Sequence, residues 1–284
     1  MKKLSLLLGL LLTMACTDTL ELDIEEGPVR LVIEGRITYD VANTVGYQSI
    51  RLTTTAPYFE NQQVPAARGA RVLVVNTRTN EQFEFTESTT EPGIYEVNGF
   101  QAGIGEEYRL EITYEGDDYE AIERLLPVAP IDSAYQVFKE ETLFRDEGIK
   151  VLLDYTDPAG EENYYHWQVY RNDTLLVTAD VGNQFNLISS DEFYDGLQIT
   201  EFEPSADFSF LPGDRAIIKQ FALTAESYTF YRNFYEQVVG IAPGLADVVP
   251  ATLRGNIQNL SNPDRYPLGY FEASAVAIKE FEIE

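Results

Sequence analysis

The segment Gly105-Glu106-Glu107-Tyr108-Arg109-Leu110-Glu111-Ile112-Thr113-Tyr114 gives the clearest indication of the fold class. From residue 108 onward every second side chain is apolar, and the side chains between them are polar. Successive side chains of a β-strand point to opposite faces, so this alternation predicts a strand with one buried and one solvated face. Gly103 and Gly105 mark a turn immediately before it.

Comparable short segments lie upstream of this strand. Phe83 and Phe85 alternate with polar neighbours, whereas residues 70–75 are mostly apolar on both faces, as in a central strand. The sequence Glu91-Pro92-Gly93 marks a turn between them. Several short strands separated by turns within about 100 residues are typical of a β-sandwich. We therefore predict an immunoglobulin-like β-sandwich over residues 28–130.

A proline-containing segment follows this predicted sandwich. Pro127 and Pro130 lack the N–H group that a central strand needs, and together they stiffen a short extended linker. Strand patterns resume at residues 150–155, 164–170 and 215–223. We predict a second, mainly-β domain at residues 131–284. The whole chain is thus expected to be mainly β, with two tandem sandwich bodies of the immunoglobulin or fibronectin type.

One helix is predicted within the second domain, at about residues 225–239. Thr224 is suited to the N-cap position, and Gly240 stands where a C-cap glycine is expected. Apolar side chains recur between them at spacings of three and four residues, which is typical of a helix with one buried face. These side chains are Tyr228, Tyr231, Phe234, Tyr235, Val238 and Val239. We expect this stripe to face the core, the alternative being an exposed face that docks a partner.

The N-terminus has the features of an export signal. Lys2 and Lys3 precede a leucine-rich run that is shorter than the roughly 20 residues needed to span a bilayer. Ala15-Cys16 matches the pattern that is cleaved before a lipid-modified cysteine, although Thr13 stands where that pattern prefers Leu, Val or Ile. We predict a lipoprotein signal peptide at residues 1–15, lipidation of Cys16 and a lipidated acidic tether at residues 16–27. Lipidation would also account for Cys16 being the single cysteine of the sequence.

The charge of the chain excludes two classes of partner. Without Lys2 and Lys3, 18 basic residues face 47 acidic ones, so the processed chain would carry a formal charge of −29. Such a body repels nucleic acid phosphates and anionic lipid head groups. The acidic residues either form a solvated surface or include a site for a divalent cation.

The order of several short motifs resembles a lipoprotein family of the Bacteroidota, which is catalogued as domain-of-unknown-function family 4249. The motifs are Leu31-Val32-Ile33-Glu34-Gly35-Arg36-Ile37-Thr38, Gly69-Ala70-Arg71-Val72, Gly93-Ile94-Tyr95, Gly105-Glu106-Glu107-Tyr108, Pro130-Ile131-Asp132, Asp157-Pro158-Ala159-Gly160, Pro250-Ala251-Thr252-Leu253-Arg254-Gly255-Asn256-Ile257 and Gly269-Tyr270-Phe271. The resemblance covers almost all of the chain after Cys16. It implies an outer-membrane location, often with the gene beside that of a TonB-dependent transporter, and it supplies no catalytic residues.

Few residues are available for catalysis. His166 is the single histidine, so a Ser-His-Asp site would have to use it, and zinc sites built from His and Cys are excluded by count. If Trp167 and Val169 face the core, His166 lies on the opposite face with Gln168 and Tyr170, where we expect solvent. No Walker or Rossmann glycine motif is present. A carboxylate-based hydrolase stays open, because the chain has many acids.

Calcium is the cofactor that the sequence leaves open. The segment from Asp154 to Asn163 concentrates oxygen ligands in one turn, with Asp154, Asp157 and Glu161 as candidates. It lacks EF-hand spacing, and an ordinary turn between strands explains the same residues. In the absence of that ion no cofactor is expected.

Function is predicted from these features as binding rather than catalysis. We expect a non-catalytic lipoprotein, exposed at the cell surface on the outer membrane, that serves a TonB-dependent transporter as an accessory or ligand-binding partner. The alternative is a surface adhesin or structural lipoprotein. Loops often carry the aromatic anchors of protein interfaces, and residues 185–210 are the longest candidate stretch. Its proposed partner-binding residues are Phe193, Tyr194, Phe208 and Phe210.

Overall fold

The computed structural model describes residues 27–40, 42–43, 45–57, 64–142, 146–177, 187–204, 208–239 and 252–284. Strands dominate these residues, as the alternation patterns predicted. The strands are β1 (Leu31–Tyr39), β2 (Gln48–Thr54), β3 (Arg71–Asn76), β4 (Gln82–Glu87), β5 (Ile94–Val97), β6 (Glu107–Tyr114), β7 (Asp117–Arg124), β8 (Ile131–Lys139), β9 (Gly148–Thr156), β10 (Tyr164–Arg171), β11 (Thr174–Leu175), β12 (Ile188–Ser190), β13 (Gln198–Phe202), β14 (Arg215–Leu223), β15 (Gln258–Asn259) and β16 (Leu268–Glu282). Helix α1 spans Ala225–Val239, and a 3-10 turn spans Pro263–Arg265.

The strands of the described chain form two sheets. The larger sheet runs in the order β11-β10-β14-β16-β1-β2-β5-β4-β3-β6-β7-β15, with β12 paired to β10. The smaller sheet has the order β13-β9-β8. Strand β16 pairs in parallel with β1 through residues 268–275 and antiparallel with β14 through residues 276–282. Strand β16 therefore lies inside the larger sheet, between β14 and β1.

Two hydrophobic cores lie against this sheet. Strands β1 to β7 enclose the first, which includes Ile33, Leu110 and Phe100. The second lies between the smaller sheet and strands β10, β14 and β16, and it includes Trp167, Leu153 and Ile218. The mainly-β sandwich class predicted from sequence is confirmed.

Strand β16 contributes to both cores, which the predicted division of the chain did not anticipate. Phe271, Ala273 and Ala275 lie in the first core, together with Ile257 from the segment before the strand. Ala277 and Phe281 pack against the second. The first core thus combines residues of the 28–130 segment with residues that follow it by more than a hundred positions, so the two bodies share a strand.

Helix α1 covers the outer face of the larger sheet, on the side opposite the cores. It begins as predicted, because the Ser227 amide donates to Thr224 Oγ1 at 3.2 Å. Its aromatic side chains meet the sheet through ring contacts of Tyr228 with Tyr164 and of Phe230 with Tyr270. Gly240, the predicted C-cap, lies outside the described residues, as do the side chains of Val238 and Val239.

Candidate functional site

A cleft lies between α1 and the outer face of the larger sheet. Its volume is about 1340 Å³. Polar side chains of β1 form its floor, because Ile33, Gly35 and Ile37 face the first core while the residues between them face the cleft. Helix α1 contributes Phe230, Tyr231 and Phe234 to one wall. A polar floor and an aromatic wall therefore enclose one space.

A charged pair lies at the floor of this cleft. The parallel pairing of β1 with β16 places Arg36 opposite Glu272, and Arg36 Nε donates to Glu272 Oε2. The Arg36 guanidinium lies over the Phe221 ring at 4.1 Å. Burial alone would lower the pKa of Arg36, but Glu272 and Tyr231 together outweigh it and raise that pKa above its ordinary value. The Arg36 guanidinium is therefore charged at neutral pH.

His166 joins this pair, and the expectation that it faces solvent is wrong. It does lie on the same side of β10 as Gln168, but α1 covers that side, and His166 is only 4% exposed. Burial, with the Arg36 charge beside it, lowers the pKa of His166 well below its ordinary value, so the ring is neutral. Arg36 Nη2 lies 3.1 Å from His166 Nδ1. A guanidinium nitrogen can only donate, so His166 Nδ1 is the acceptor. The ring proton is then on Nε2, which donates to Tyr235 Oη at 3.1 Å.

Tyr231 is a further partner of this charged pair. Glu272 Oε1 is buried and makes no hydrogen bond of good geometry with the described residues, but the Tyr231 hydroxyl interacts with this carboxylate and with Arg36. Tyr231 packs against the His166 ring at 4.7 Å between centroids. Burial and the nearby Glu272 charge raise the pKa of Tyr231 well above its ordinary value, so its hydroxyl stays protonated. The floor is therefore a compact network of Arg36, Glu272, His166 and Tyr231.

The rim of the cleft combines aromatic rings with cations. The Tyr266 ring lies between the guanidinium groups of Arg30, at 3.5 Å, and Arg254, at 3.8 Å. Phe234 is 42% exposed at the opposite wall. The guanidinium groups cover both faces of Tyr266, so Phe234 is the ring at the entrance on which a ligand can stack.

Glu123 is a further buried acid that sequence reasoning missed. It accepts hydrogen bonds from Tyr270 Oη at 3.3 Å and from Asn256 Nδ2 at 3.2 Å. Burial raises the pKa of Glu123 to about 7, and the negative charge of Glu272 acts in the same direction. Because Tyr270 lines the cleft, this acid lies directly behind its wall. No spacing along the sequence indicates this contact.

The three calcium candidates do not form one set. Asp154 is held by Ser133 Oγ at 2.8 Å and the Glu201 amide at 2.8 Å, and Glu161 is exposed. Asp157 instead has carboxylate oxygens within 4.8 Å of those of Asp191 and Asp195. Both Asp157 oxygens already accept hydrogen bonds, from Tyr165 Oη and from the Gly196 amide. Calcium binding stays a prediction.

The four partner-binding candidates occupy different environments. Phe193 is 88% exposed, as an interface anchor should be. Phe210 is buried in the second core, so its proposed role in partner binding is wrong. Tyr194 and Phe208 are half-buried against the same core, and Tyr194 Oη bonds Ser189 Oγ at 2.7 Å. These aromatic residues alternate with polar ones in the sequence. A partly buried strand or turn shows that pattern as often as an exposed loop does.

Cys16 and the predicted signal peptide lie outside the described residues. Within the part of the chain that the structure describes, no helix combines the length and apolarity needed to cross a bilayer. The anchor therefore stays a prediction.

Comparison with known proteins identifies a family. The family described as "Domain of unknown function (DUF4249)" matches residues 17–280. The chain belongs to this family. No curated protein matches it. Membership in DUF4249 agrees with the order of motifs in the sequence, and it assigns no activity.

Proposed function

We propose that this DUF4249 protein is a non-catalytic, lipid-anchored lipoprotein of the outer membrane that binds a ligand in the cleft beneath α1 and serves a TonB-dependent transporter. The cleft is the observation that carries the proposal. At about 1340 Å³ it exceeds the 300–1,000 Å³ typical of small-molecule sites. Aromatic walls and a few buried polar groups at its floor are the usual composition of a binding site.

The buried groups of the floor suit binding better than catalysis. A general base needs an accessible lone pair, but His166 uses Nδ1 to accept from Arg36 and Nε2 to donate to Tyr235. A glycosidase needs two carboxyl groups about 5 to 10 Å apart, one of them protonated. Of the two buried acids described above, Glu123 does not line the cleft, and Glu272 is held in an ion pair with Arg36. These contacts support a non-catalytic role.

The start of the described chain favours a position close to the membrane. Gly27, Pro28 and Val29 line the cleft, and Gly27 follows Cys16 by eleven residues. Eleven residues span at most about 40 Å even when fully extended. If Cys16 carries lipid, the mouth of the cleft is within that distance of the bilayer, where a transporter can receive what the cleft holds.

Phe193 supports a protein partner. An aromatic side chain that is 88% exposed gains free energy when a partner covers it, and Leu197 in the same turn is 55% exposed. The acidic body has no electrostatic attraction to anionic lipid, so a defined position at the membrane requires a protein contact. We expect this turn to be part of that contact.

Co-purification from the native outer membrane tests the proposal. Wild-type protein, extracted in mild detergent, should carry a TonB-dependent transporter with it. Phe193→Ala should reduce the recovered transporter at least several-fold, because it removes an exposed anchor. Phe138→Ala is the matched control, since Phe138 is also exposed, at 63%, but belongs to β8. Cys16→Ser should abolish recovery by releasing the protein from the membrane.

Three results would count against this assignment. A Cys16→Ser protein that still fractionates with the outer membrane would contradict lipid anchoring. A wild-type protein that migrates alone would contradict the transporter partnership. Attachment of cells to matrix that depends on Phe193 while transport is unchanged would support the adhesin alternative.

A further inference from the structure

We propose that the cleft beneath α1 binds an apolar carboxylate, whose charged end contacts Arg30 and Arg254 at the entrance and whose body packs against Phe234. The inference rests on the proposed function and deepens it, because it names the ligand class of the same cleft. It starts from two arginines that stack on one tyrosine ring and lack an acid partner within the described ranges.

The lack of an acid partner sets these two arginines apart. Acidic residues outnumber basic ones by 47 to 20 in the sequence, and eight arginines of the described chain form an ion pair with Asp or Glu. Arg30 Nη1 instead donates to the carbonyls of Asp264, at 3.3 Å, and Tyr266, at 2.9 Å. Neither Arg30 nor Arg254 forms an ion pair with a carboxylate of the described residues, Asp264 included. Their charges are therefore available to an anion from outside the chain.

The two guanidinium groups are arranged to hold one anion together. They lie 3.5 and 3.8 Å from the centre of the Tyr266 ring, on its opposite faces, so only the thickness of that ring separates them. A stacked guanidinium directs its N–H groups outward in its own plane, so an anion beside the ring edge can accept from both. Arg30 Nε and Nη2 make no hydrogen bond with the described residues. Because Arg30 and Tyr266 line the cleft, such an anion lies at its entrance.

The pKa of Tyr266 agrees with a positive potential at this entrance. A hydrogen bond with Thr252 lowers that pKa most, and the charges of Arg30 and Arg254 lower it further. A tyrosine in this protein otherwise meets mainly acids, and burial beside carboxylates raises the pKa of Tyr119 and Tyr270. The entrance is therefore a local exception to the acidic character of the chain.

A single negative charge suits the entrance better than a phosphate does. Guanidinium groups pair with carboxylates and phosphates alike. A phosphate monoester carries a charge of about −1.5 to −2, so the field of the acidic protein repels it more strongly than a carboxylate. Two guanidinium groups in direct contact are enough to offset one carboxylate charge.

The lining next to the entrance is apolar. The parallel pairing of β1 with β16 places Val32 beside Leu268, and both line the cleft. Deeper along the same floor, Tyr270 packs against Phe230 at 4.9 Å, and Phe234 stacks on Phe230 at 6.4 Å. A carboxylate held at the entrance thus has an apolar surface directly behind it for its body.

The buried pair limits the length of that body. The floor becomes charged at Glu34 and Arg36, and a strand rises about 3.3 Å per residue, so roughly 13 Å of the floor separates Arg30 from Glu34. Arg36, Glu272 and Tyr231 satisfy one another and offer no second anion site. The ligand is therefore a compact carboxylate, with an apolar part of about eight to ten carbons.

Calorimetric titration of the purified full-length lipoprotein in detergent tests the proposal, with empty micelles as the blank. The probes are octanoate and 4-phenylbutyrate, each compared with its primary amide, which keeps the apolar body and lacks the charge. At least one carboxylate should bind with a Kd below about 1 mM. Its amide should bind about tenfold more weakly, because it loses the charge-assisted hydrogen bonds to the guanidinium groups. Equal affinity for acid and amide would overturn the carboxylate contact.

Variants locate the two ends of the ligand. Arg254→Gln, at an exposed position, should weaken binding of the carboxylate about tenfold and leave that of the amide unchanged. Phe234→Ala should weaken both. Arg124→Gln removes the same charge from an exposed position on β7 outside the cleft and should change neither. An equal loss in Arg124→Gln and Arg254→Gln would show that only net charge matters, and would overturn the site.

Lys219→Gln examines the other end of the cleft. Lys219 lines the cleft, and its ammonium group lies 4.9 Å from the centre of the Tyr170 ring. Affinity for the carboxylate should fall by less than about twofold in this variant. A greater loss than in Arg254→Gln would place the carboxylate at Lys219 and overturn its assignment to the entrance.

Two outcomes separate this proposal from the proposed function. If neither carboxylate binds, while native mass spectrometry of the membrane-extracted protein finds another class of compound that Phe234→Ala releases, the cleft is a ligand site but not for apolar carboxylates. If neither the carboxylates nor any compound carried from the membrane depends on Phe234, the cleft is not a ligand site, and the proposed function fails with it.

Discussion

The buried Arg36–Glu272 pair costs free energy at the scale of single residues. Taking two charges out of water is only partly offset by their attraction, and well-packed apolar side chains of similar volume are often as stable or more so. The Tyr231 hydroxyl interacts with both members of the pair and offsets part of this cost. The pair therefore contributes more to fixing the parallel register of β1 and β16 than to overall stability.

His166 gives a prediction at this scale. His166→Ala should reduce the free energy of unfolding by about 2 to 4 kcal/mol, because it leaves Arg36 Nη2 and Tyr235 Oη without their partner beneath the helix. Gln168→Ala is the control, since Gln168 lies on the same face of β10 but bonds only Tyr170 among the described residues. Urea unfolding measures both. A loss below about 0.5 kcal/mol for His166→Ala would show that water replaces the imidazole at no cost.

Glu123 gives a pH-dependent prediction. Its pKa in the folded state, about 7, exceeds the ordinary value of 4.5, so the folded state binds more protons than the unfolded state between these values. Its contribution therefore makes the protein less stable as pH rises from 4.5 to 7. Glu123→Gln should be stabilising at pH 8, by about 1 to 3 kcal/mol, and nearly neutral at pH 4. Urea midpoints at the two pH values measure this, with the exposed Glu282→Gln as control.

At the scale of elements, the start of α1 was predictable because its signals are local. The Thr224 cap and the spacing of aromatic residues lie within one short segment, and the helix occupies Ala225–Val239 as expected. The strand alternation was predictable for the same reason. What packs against each face of a strand was not predictable from the sequence. His166 and Arg36 are 130 residues apart in the sequence. Nothing in the sequence indicates that the helix packs over the strands that carry them.

The cap supports a prediction for this element. Thr224→Ala should lower the free energy of unfolding by about 1 kcal/mol, because the Ser227 amide loses its acceptor. Thr229→Ala is the matched control within α1. Its hydroxyl is exposed and bonds the Ala225 carbonyl, and alanine is the better helix former there. Thermal unfolding followed by circular dichroism compares the two. An equal loss in both variants would mean that the cap does not position the helix.

At the scale of the whole molecule, the candidate site depends on one long-range pairing. Arg36 and Glu272 are separated by 236 residues and meet only because β16 lies parallel to β1. In the sequence, the polar residues of β1 alternate with apolar ones, and this pattern predicts a solvated face. The composition of each strand was therefore informative, but the partner of β1 and the helix above it are properties of the assembled sheet.

We predict that the same strand couples the two cores into one cooperative unit. Phe271 packs in the first core and Phe281 against the second, so β16 cannot leave one core without disturbing the other. Trp167, the single tryptophan, is buried in the second core and reports on it alone. Leu110→Ala, which opens a cavity in the first core, should destabilise the protein by about 2 to 5 kcal/mol. We expect the tryptophan fluorescence transition in urea to shift by the same amount as the circular dichroism transition.

Leu153→Ala in the second core provides the comparison, since it should move both signals whether or not the cores are coupled. In the opposite case, Leu110→Ala would lower the urea midpoint of only part of the circular dichroism transition and leave the midpoint of the tryptophan fluorescence transition unchanged. That result would show that the two bodies unfold separately. The chain would then behave as the tandem arrangement with a boundary at residues 130 and 131. Coincident shifts would mean instead that the cleft above β1 and β16 is only as stable as the whole protein, because its floor contains strands of both cores.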